Sequence, residues 1–186
     1  MATTAAGTPY VEASDLVAGY PAVSLSLANH IDGLDGGKVL QVVSVTKVDA
    51  FTTTSTSFTD VTGLAASITP SATDSTILVL AKIAVNPRGA AVGYIQLLRG
   101  ATVIGGGTAA GSRPSAMSTF YTRDTIASTD LGVNFVDSPA SVASQTYKIQ
   151  ARVSGFTLGI NTSLEDNNDA VRSRTSSTIT LMEIGA

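Results

Sequence analysis

From Lys38 onward the apolar residues of this chain recur at every second position, in runs of strand length. The run TYKIQARVS (146–154) is the plainest. Tyr147, Ile149, Ala151 and Val153 fall on one side of it, and Lys148, Gln150 and Arg152 on the other. A period of two marks a strand with one face buried and one in water. The same reading predicts strands in VLQVVSVTK (39–47), VGYIQLLRG (92–100), ATVIGGG (101–107), TFYTRDT (119–125), LGVNFVD (131–137), FTLGIN (156–161) and STITLMEI (177–184). FTDVTGLAASITP (58–70) holds one strand or two short ones, with Leu64, Ala66 and Ile68 alternating and Pro70 ending it. STILVLAKIAV (75–85) is apolar throughout and suits the middle of a sheet buried on one face and partly on the other. Asn86-Pro87-Arg88-Gly89 reads as a turn, and Arg99-Gly100 as a tight hairpin between two strand runs. Polar loops are expected at 112–118, 138–145 and 162–174. Roughly eight to ten short strands, with turn signals about every ten residues, predict an all-β antiparallel β-sandwich or jelly roll. No long helical pattern interrupts the series, which argues against a parallel α/β sheet.

Ahead of Lys38 the period changes. The first ten residues, MATTAAGTPY, are small and polar and read as an extended arm. Two short helices are predicted after them. Ser14 can cap the first, with Leu16, Val17 and Tyr20 on one side; Pro21 suits the first position of the second, in which Val23, Leu27 and Ile31 share a face. Helices of two or three turns are marginal alone and need a partner surface. The stretch HIDGLDGGKVLQVV (30–43) joins the two periods. Its Asp-Gly and Gly-Gly pairs are turn chemistry, so it reads as a hinge. The expected organisation is an N-terminal anchoring arm over 1–37 and a β-sandwich over 38–186.

Composition narrows the reading. Hydrophobic residues make up 44% of the 186, but aromatics only 5% and Trp is absent, so the core must be built from Val, Ile, Leu and Ala. Charged residues are 13%, about half the usual share. Ser and Thr are about a quarter of the chain, and Thr, like Val, favours strands. Net charge is −3 with no basic stripe, which argues against nucleic acid as a partner. Residues 1–37 hold Glu12, Asp15, Asp32 and Asp35 and no Lys or Arg. With no Cys, disulfides and thiolate chemistry are excluded. No signal-peptide pattern and no apolar run of about 20 residues is visible, so a soluble product made in a cytoplasm is expected, with no membrane partner.

Candidate chemistry is thin. IGGGTAAGSRP (104–114) has Walker-like glycine spacing at Gly106 and Gly111, but Ser112 and Arg113 stand where Lys and Ser/Thr are required. A flexible loop is the better reading. Glu165, Asp166, Asn167, Asn168 and Asp169 offer hard oxygens for calcium, without the EF-hand spacing. His30 with Asp32 and Asp35 lacks the further ligands a zinc site needs, and a catalytic triad would have to use this same histidine, outside the β domain. Asp49, Asp60, Asp124, Asp130 and Asp137 lie on or near strands, but nothing singles out a pair for glycoside chemistry. Asn161-Thr162-Ser163 is a formal glycosylation sequon. The expectation is a protein that is not an enzyme and carries no cofactor or metal.

Several segments together carry a resemblance. GKVLQVVSVTK, TTTSTSFTDVTGLAASITPSATDSTILVL, LLRGATVIG, FVDSPASVASQTYKIQARVSG and STITLMEI resemble a recurrent β domain in virion proteins of tailed bacteriophages, those described as tail-fibre or head-decoration proteins. YVEASDLVAGYPAVSLSLANHID resembles a segment found ahead of such domains. The likeness spans residues 9–186. It implies a homotrimer of jelly rolls of the tumour-necrosis-factor type, anchored to the particle by the N-terminal segment. It carries no catalytic motif. An anchor of this kind would bury Leu16, Val17, Tyr20, Val23, Leu25, Leu27 and Ile31 against the major capsid protein, another virion protein or a sister subunit. The chain has no long shaft, so a capsid decoration (cement) or head-fibre protein on the virion surface is the first expectation. The alternative is a short tail-fibre or adaptor component that recognises the host through loops 86–90, 105–116 and 161–172.

Overall fold

Strands form where the alternation places them. The computed structural model describes residues 2–3, 9–10, 22, 24–27, 38–87, 91–122, 128–163, 166–170 and 172–186. Two short strands, β1 (Ala2–Thr3) and β2 (Pro9–Tyr10), pair antiparallel near the N-terminus, and residues 24–27 are helical. Then follow β3 (Val39–Lys47), β4 (Phe51–Thr53), β5 (Thr59–Ile68), β6 (Thr76–Pro87), β7 (Ala91–Arg99) and β8 (Thr102–Ile104). The chain closes with β9 (Ser118–Thr122), β10 (Thr129–Asp137), β11 (Gln145–Val153), β12 (Leu158–Ile160) and β13 (Ser177–Ile184).

Apart from the β1–β2 pair, these strands form two antiparallel sheets of four rows each. In the first, β13 lies between β3 and β6, and β10 covers the other edge of β6. One edge of β6 is shared: Thr76–Lys82 pair with β13, and Val85–Pro87 pair with β12. β12 and β13 therefore form one broken row, and β4 extends β3 beside β12. In the second sheet the order is β5, β11, β7, and the far edge of β7 is again shared, by β9 and β8. Two four-row sheets with this order make a jelly roll.

The expected hairpin is present between β7 and β8, with Arg99 opposite Thr102 and Gly100 at φ 58°, a left-handed turn that glycine adopts without cost. Two expectations need correction. Asn86 is no turn residue: β6 runs through it, its backbone is paired to Gly159, and its side chain is fully buried. The polar run after Ile160 also begins inside the protein, because Asn161, Thr162 and Ser163 are buried.

The core lies between the sheets and is aliphatic. Leu64, Ile68, Ile77, Ile83, Ile95, Leu97, Ile149, Ile179 and Leu181 are fully or almost fully buried, joined by the single tyrosine Tyr147. Gly93 leaves room for Phe120, which stands opposite it on β9; a Cβ at residue 93 would overlap that ring at 2.1 Å.

Polar groups close both ends. At one end Glu183, on the inward side of β13, is buried and accepts from Gln41 Nε2 at 2.5 Å and from the Ser71 N–H and Oγ at 2.6 Å each. Gln41 Nε2 also donates to the Thr69 carbonyl at 2.7 Å. The loop that crosses between the sheets is thus tied to the end of the first sheet. Burial alone would raise the Glu183 pKa, but the Ser71 hydroxyl, the Gln41 amide and the Ser71 N–H together pull it down to about 2. Its contribution is therefore fully present above the ordinary carboxylate range and is lost as pH falls from about 4.5 towards 2. Allowing for screening at the rim of the sandwich, it is worth about 1–2 kcal/mol. Denaturant melts at pH 7 and pH 2.5 should show that Glu183→Gln loses stability at pH 7 and that its difference from wild type shrinks at pH 2.5. An equal difference at both pH values would contradict this account.

Candidate assembly surface

The outward positions of the two sheets differ in chemistry. On the second sheet, Asp60 of β5 receives Lys148 Nζ at 2.8 Å and Gln150 Nε2 at 2.7 Å, and these bonds lower its pKa. The Arg152 guanidinium stands 4.6 Å from the centre of the Tyr94 ring and 5.7 Å from that of Phe58, a cation–π arrangement. Loop 105–117 comes down on β7, where Gln96 Nε2 donates to the Ser115 carbonyl at 2.9 Å. That face is mixed: the charged and amide groups share it with Leu98, Val103 and Tyr121.

On the first sheet the outward residues at one end are apolar and in register. Val42 stands opposite Met182, Met182 opposite Leu78, and Leu78 opposite Val136, so one apolar row crosses all four strands. None of the four belongs to the core or packs against it. Val42 is 54% exposed, Val136 57%, and Leu40 beside them 45%. The next row is Ser44, Thr180, Leu80 and Asn134, and the one after it Thr46, Thr178, Lys82 and Gly132. The face therefore grades from apolar, through hydroxyl-bearing, to charged, where Lys82 and Asp130 pair at 3.4 Å. The apolar end is the one at which the chain enters β3; Lys38 is held there by Gly185 N–H donating to its carbonyl at 2.9 Å. Sequence reasoning missed this row. Its signal was the unbroken hydrophobicity of 77–81, which puts Leu78 and Leu80 on the side where alternation demands polar residues.

Of the seven arm residues proposed for partner binding, two are described. Leu25 is 63% and Leu27 37% exposed, both on the helical residues 24–27. Leu16, Val17, Tyr20, Val23 and Ile31 lie outside the described residues, as do His30, Asp32, Asp35 and Asp124. The four described aspartates named as candidates on or near strands each meet a cation, not another carboxylate: Asp49 with Lys47 at 2.6 Å, Asp60 with Lys148, Asp130 with Lys82, and Asp137 with Arg99 at 2.7 Å. In the acidic loop Asp166 pairs with Arg174 at 2.8 Å. Among the described residues no three of His, Cys, Asp or Glu stand together as a metal site would need. The glycine-rich segment folds into a tight turn, Ala110 and Arg113 exchanging backbone hydrogen bonds of 3.3 and 3.1 Å around Gly111. Among the described residues no helix is long and apolar enough to cross a membrane.

The sequon has a definite structural fate. Asn161 Nδ2 donates to the Lys47 carbonyl at 2.8 Å and to the Asp49 carbonyl at 3.2 Å, and the side chain is inaccessible. In the folded protein this amide is not open to glycosylation.

No family model matches the chain, and no curated protein matches it. Solved structures similar to it include one of infectious bursal disease virus, Gt strain, with TM-score 0.42 and 13% identity over 78% of this chain and 38% of that one. T=1 particles derived from the same virus give TM-score 0.42 and 11% identity over 78% and 40%. The chain thus spans about two fifths of the length of these structures. Its assignment as a jelly roll rests on the strand order and register described above.

Proposed function

We propose that this chain is a non-enzymatic structural protein of a tailed-bacteriophage virion, made in the host cytoplasm, that decorates and stabilises the capsid as a homotrimer anchored by its N-terminal arm. The observation that carries this reading is an exposed apolar helical segment, with Leu25 and Leu27 open to solvent, ahead of a closed jelly roll. Apolar side chains held out in this way gain free energy only when a partner, the shell or a sister subunit, covers them. The likeness of the strand phrases to phage decoration and fibre domains supplies the setting. In that setting the protein acts by buried interface and not by chemistry. A stable contact buries roughly 1,200–2,000 Å², and repetition over a shell multiplies a modest gain per copy.

Deletion of residues 1–37 tests the reading. The truncated protein should keep its cooperative thermal unfolding and lose co-sedimentation with capsids. If it still decorates particles at the wild-type level, the arm is not the anchor. Gel densitometry of purified virions separates the two virion roles: hundreds of copies per particle fit a shell protein, tens or fewer fit a short tail fibre.

A further inference from the structure

The exposed apolar row on the first sheet needs an occupant. An antiparallel sheet that faces water on one side normally carries polar residues there. Here Val42, Met182, Leu78 and Val136 form an unbroken apolar row outside the core, with Leu40 next to it; Val42, Val136 and Leu40 are exposed and Leu78 and Met182 half-buried. The same chain carries a second uncovered apolar surface at Leu25 and Leu27. In one copy of the protein neither covers the other, since both stand open.

Building on the assembly reading above, we propose that the outer face of the sheet formed by β3, β13, β6 and β10 is the seat of the N-terminal arm, residues 16–31, of a second copy of this chain. Size, reach and charge agree. A row that crosses four strands is about 14 Å long, and successive outward rows lie about 7 Å apart along the strands; a helix with its side chains is about 10–12 Å wide, so a helix laid along the apolar row covers it and its hydroxyl-bearing neighbour. Residues 28–37 connect the helical segment to the apolar end of the face, where the chain enters β3, and ten extended residues span at most roughly 33–36 Å. That is enough to cross to a neighbouring copy. Residues 1–37 carry four carboxylates and no cation, while all 11 Lys and Arg lie beyond residue 37, so an arm is drawn to the body of another copy more than to another arm. Exchange of one element between copies closes an oligomer without any new fold.

The chain has no cysteine, which makes the test direct. Leu25→Cys is prepared in one batch, and Val42→Cys or Val136→Cys, bearing a size tag, in another. The full-length proteins are mixed, oxidised and run on a non-reducing gel. The expected result is a tagged–untagged disulfide dimer that forms only when an arm cysteine meets a face cysteine. The double variants, Leu25→Cys with either face cysteine in one chain, are run alone; a cross-linked product of monomer size from them would show that each arm folds onto its own sheet and would overturn the proposal. Light scattering on Val136→Lys adds a second readout: loss of the oligomer with melting unchanged supports the seat. An oligomer that survives Val136→Lys, with no arm–face product at either position, overturns the seat while leaving the assembly reading intact. If capsid binding alone is lost in Val136→Lys, the face contacts the shell and the proposal also fails. A full-length protein that is monomeric at every concentration and does not bind capsids would defeat both readings.

Discussion

Asn161→Ala should lower the unfolding free energy by about 3–4 kcal/mol, the largest loss expected from any single polar side chain here. Three strand ends meet at this residue. β12 stops at Ile160, β13 starts at Ser177, and both pair with the same edge of β6. Between them the ladder is broken at Ala84, and side chains replace it: Ala84 N–H donates to Ser177 Oγ at 3.0 Å, Asn161 N–H donates to the Ala84 carbonyl at 3.0 Å, and Ser177 Oγ donates to Asn161 Oδ1 at 2.6 Å. The Asn161 amide nitrogen then reaches across to the carbonyls of Lys47 and Asp49, where β3 gives way to β4. Alanine would strip three side-chain hydrogen bonds from a buried site. It would also sit at φ 59°, a left-handed conformation that asparagine tolerates better than alanine. Asn161→Asp should be worse still, because a buried carboxylate has no N–H to offer the two carbonyls. Equilibrium urea unfolding of the three proteins measures the effect. A loss below about 1 kcal/mol for Asn161→Ala would mean that the junction does not hold the broken row together.

Asp137→Ala should cost about 3 kcal/mol by the same measurement, and Tyr147→Phe about 1.5–2 kcal/mol. Asp137 ends β10 in the first sheet, and Tyr147 and Arg99 are paired on β11 and β7 in the second. Asp137 Oδ2 accepts from Tyr147 Oη at 2.6 Å and from Arg99 Nη1 at 2.7 Å, so this carboxylate binds the two sheets together across the core. Removing it leaves a fully buried hydroxyl without its acceptor and a half-buried guanidinium without its counter-ion. Removing only the hydroxyl leaves the ion pair. Burial pushes the Tyr147 phenol pKa well up, and its hydrogen bond to Asp137 adds to this. A raised folded pKa means that the stabilisation is intact below pH 10 and declines as pH rises beyond it. Wild type should therefore lose stability above about pH 10 more steeply than Tyr147→Phe, which has no proton to release there. Parallel alkaline melts of the two proteins check this.

Much of the sheet structure was legible residue by residue. VLQVVSVTK became β3 without a change of boundary, STITLMEI became β13, and the inward set Tyr147, Ile149, Ala151 and Val153 is fully buried. β4 was not legible, since Phe51–Thr53 sits in a Thr/Ser-rich stretch with no alternation long enough to register. Asn86 falls in a turn signal and Asn161 at the junction of a strand run with a polar loop. Both are buried because a neighbouring strand, distant in sequence, supplies their surroundings. The apolar row of the candidate surface was invisible for a related reason. Val42, Leu78, Val136 and Met182 each look unremarkable in their own segment, and only strand pairing aligns them.

What the chain determines by itself is local: a period of two with Val, Ile and Thr makes strands, and the turn residues space them. Which strands become neighbours is decided by long-range contact. Pairing joins β12 to β13 across sixteen intervening residues, buries a sequon asparagine as a structural clamp, and sets four outward side chains in one row. Periodicity says which side of a strand is apolar. Only the register of its partners says what that side meets.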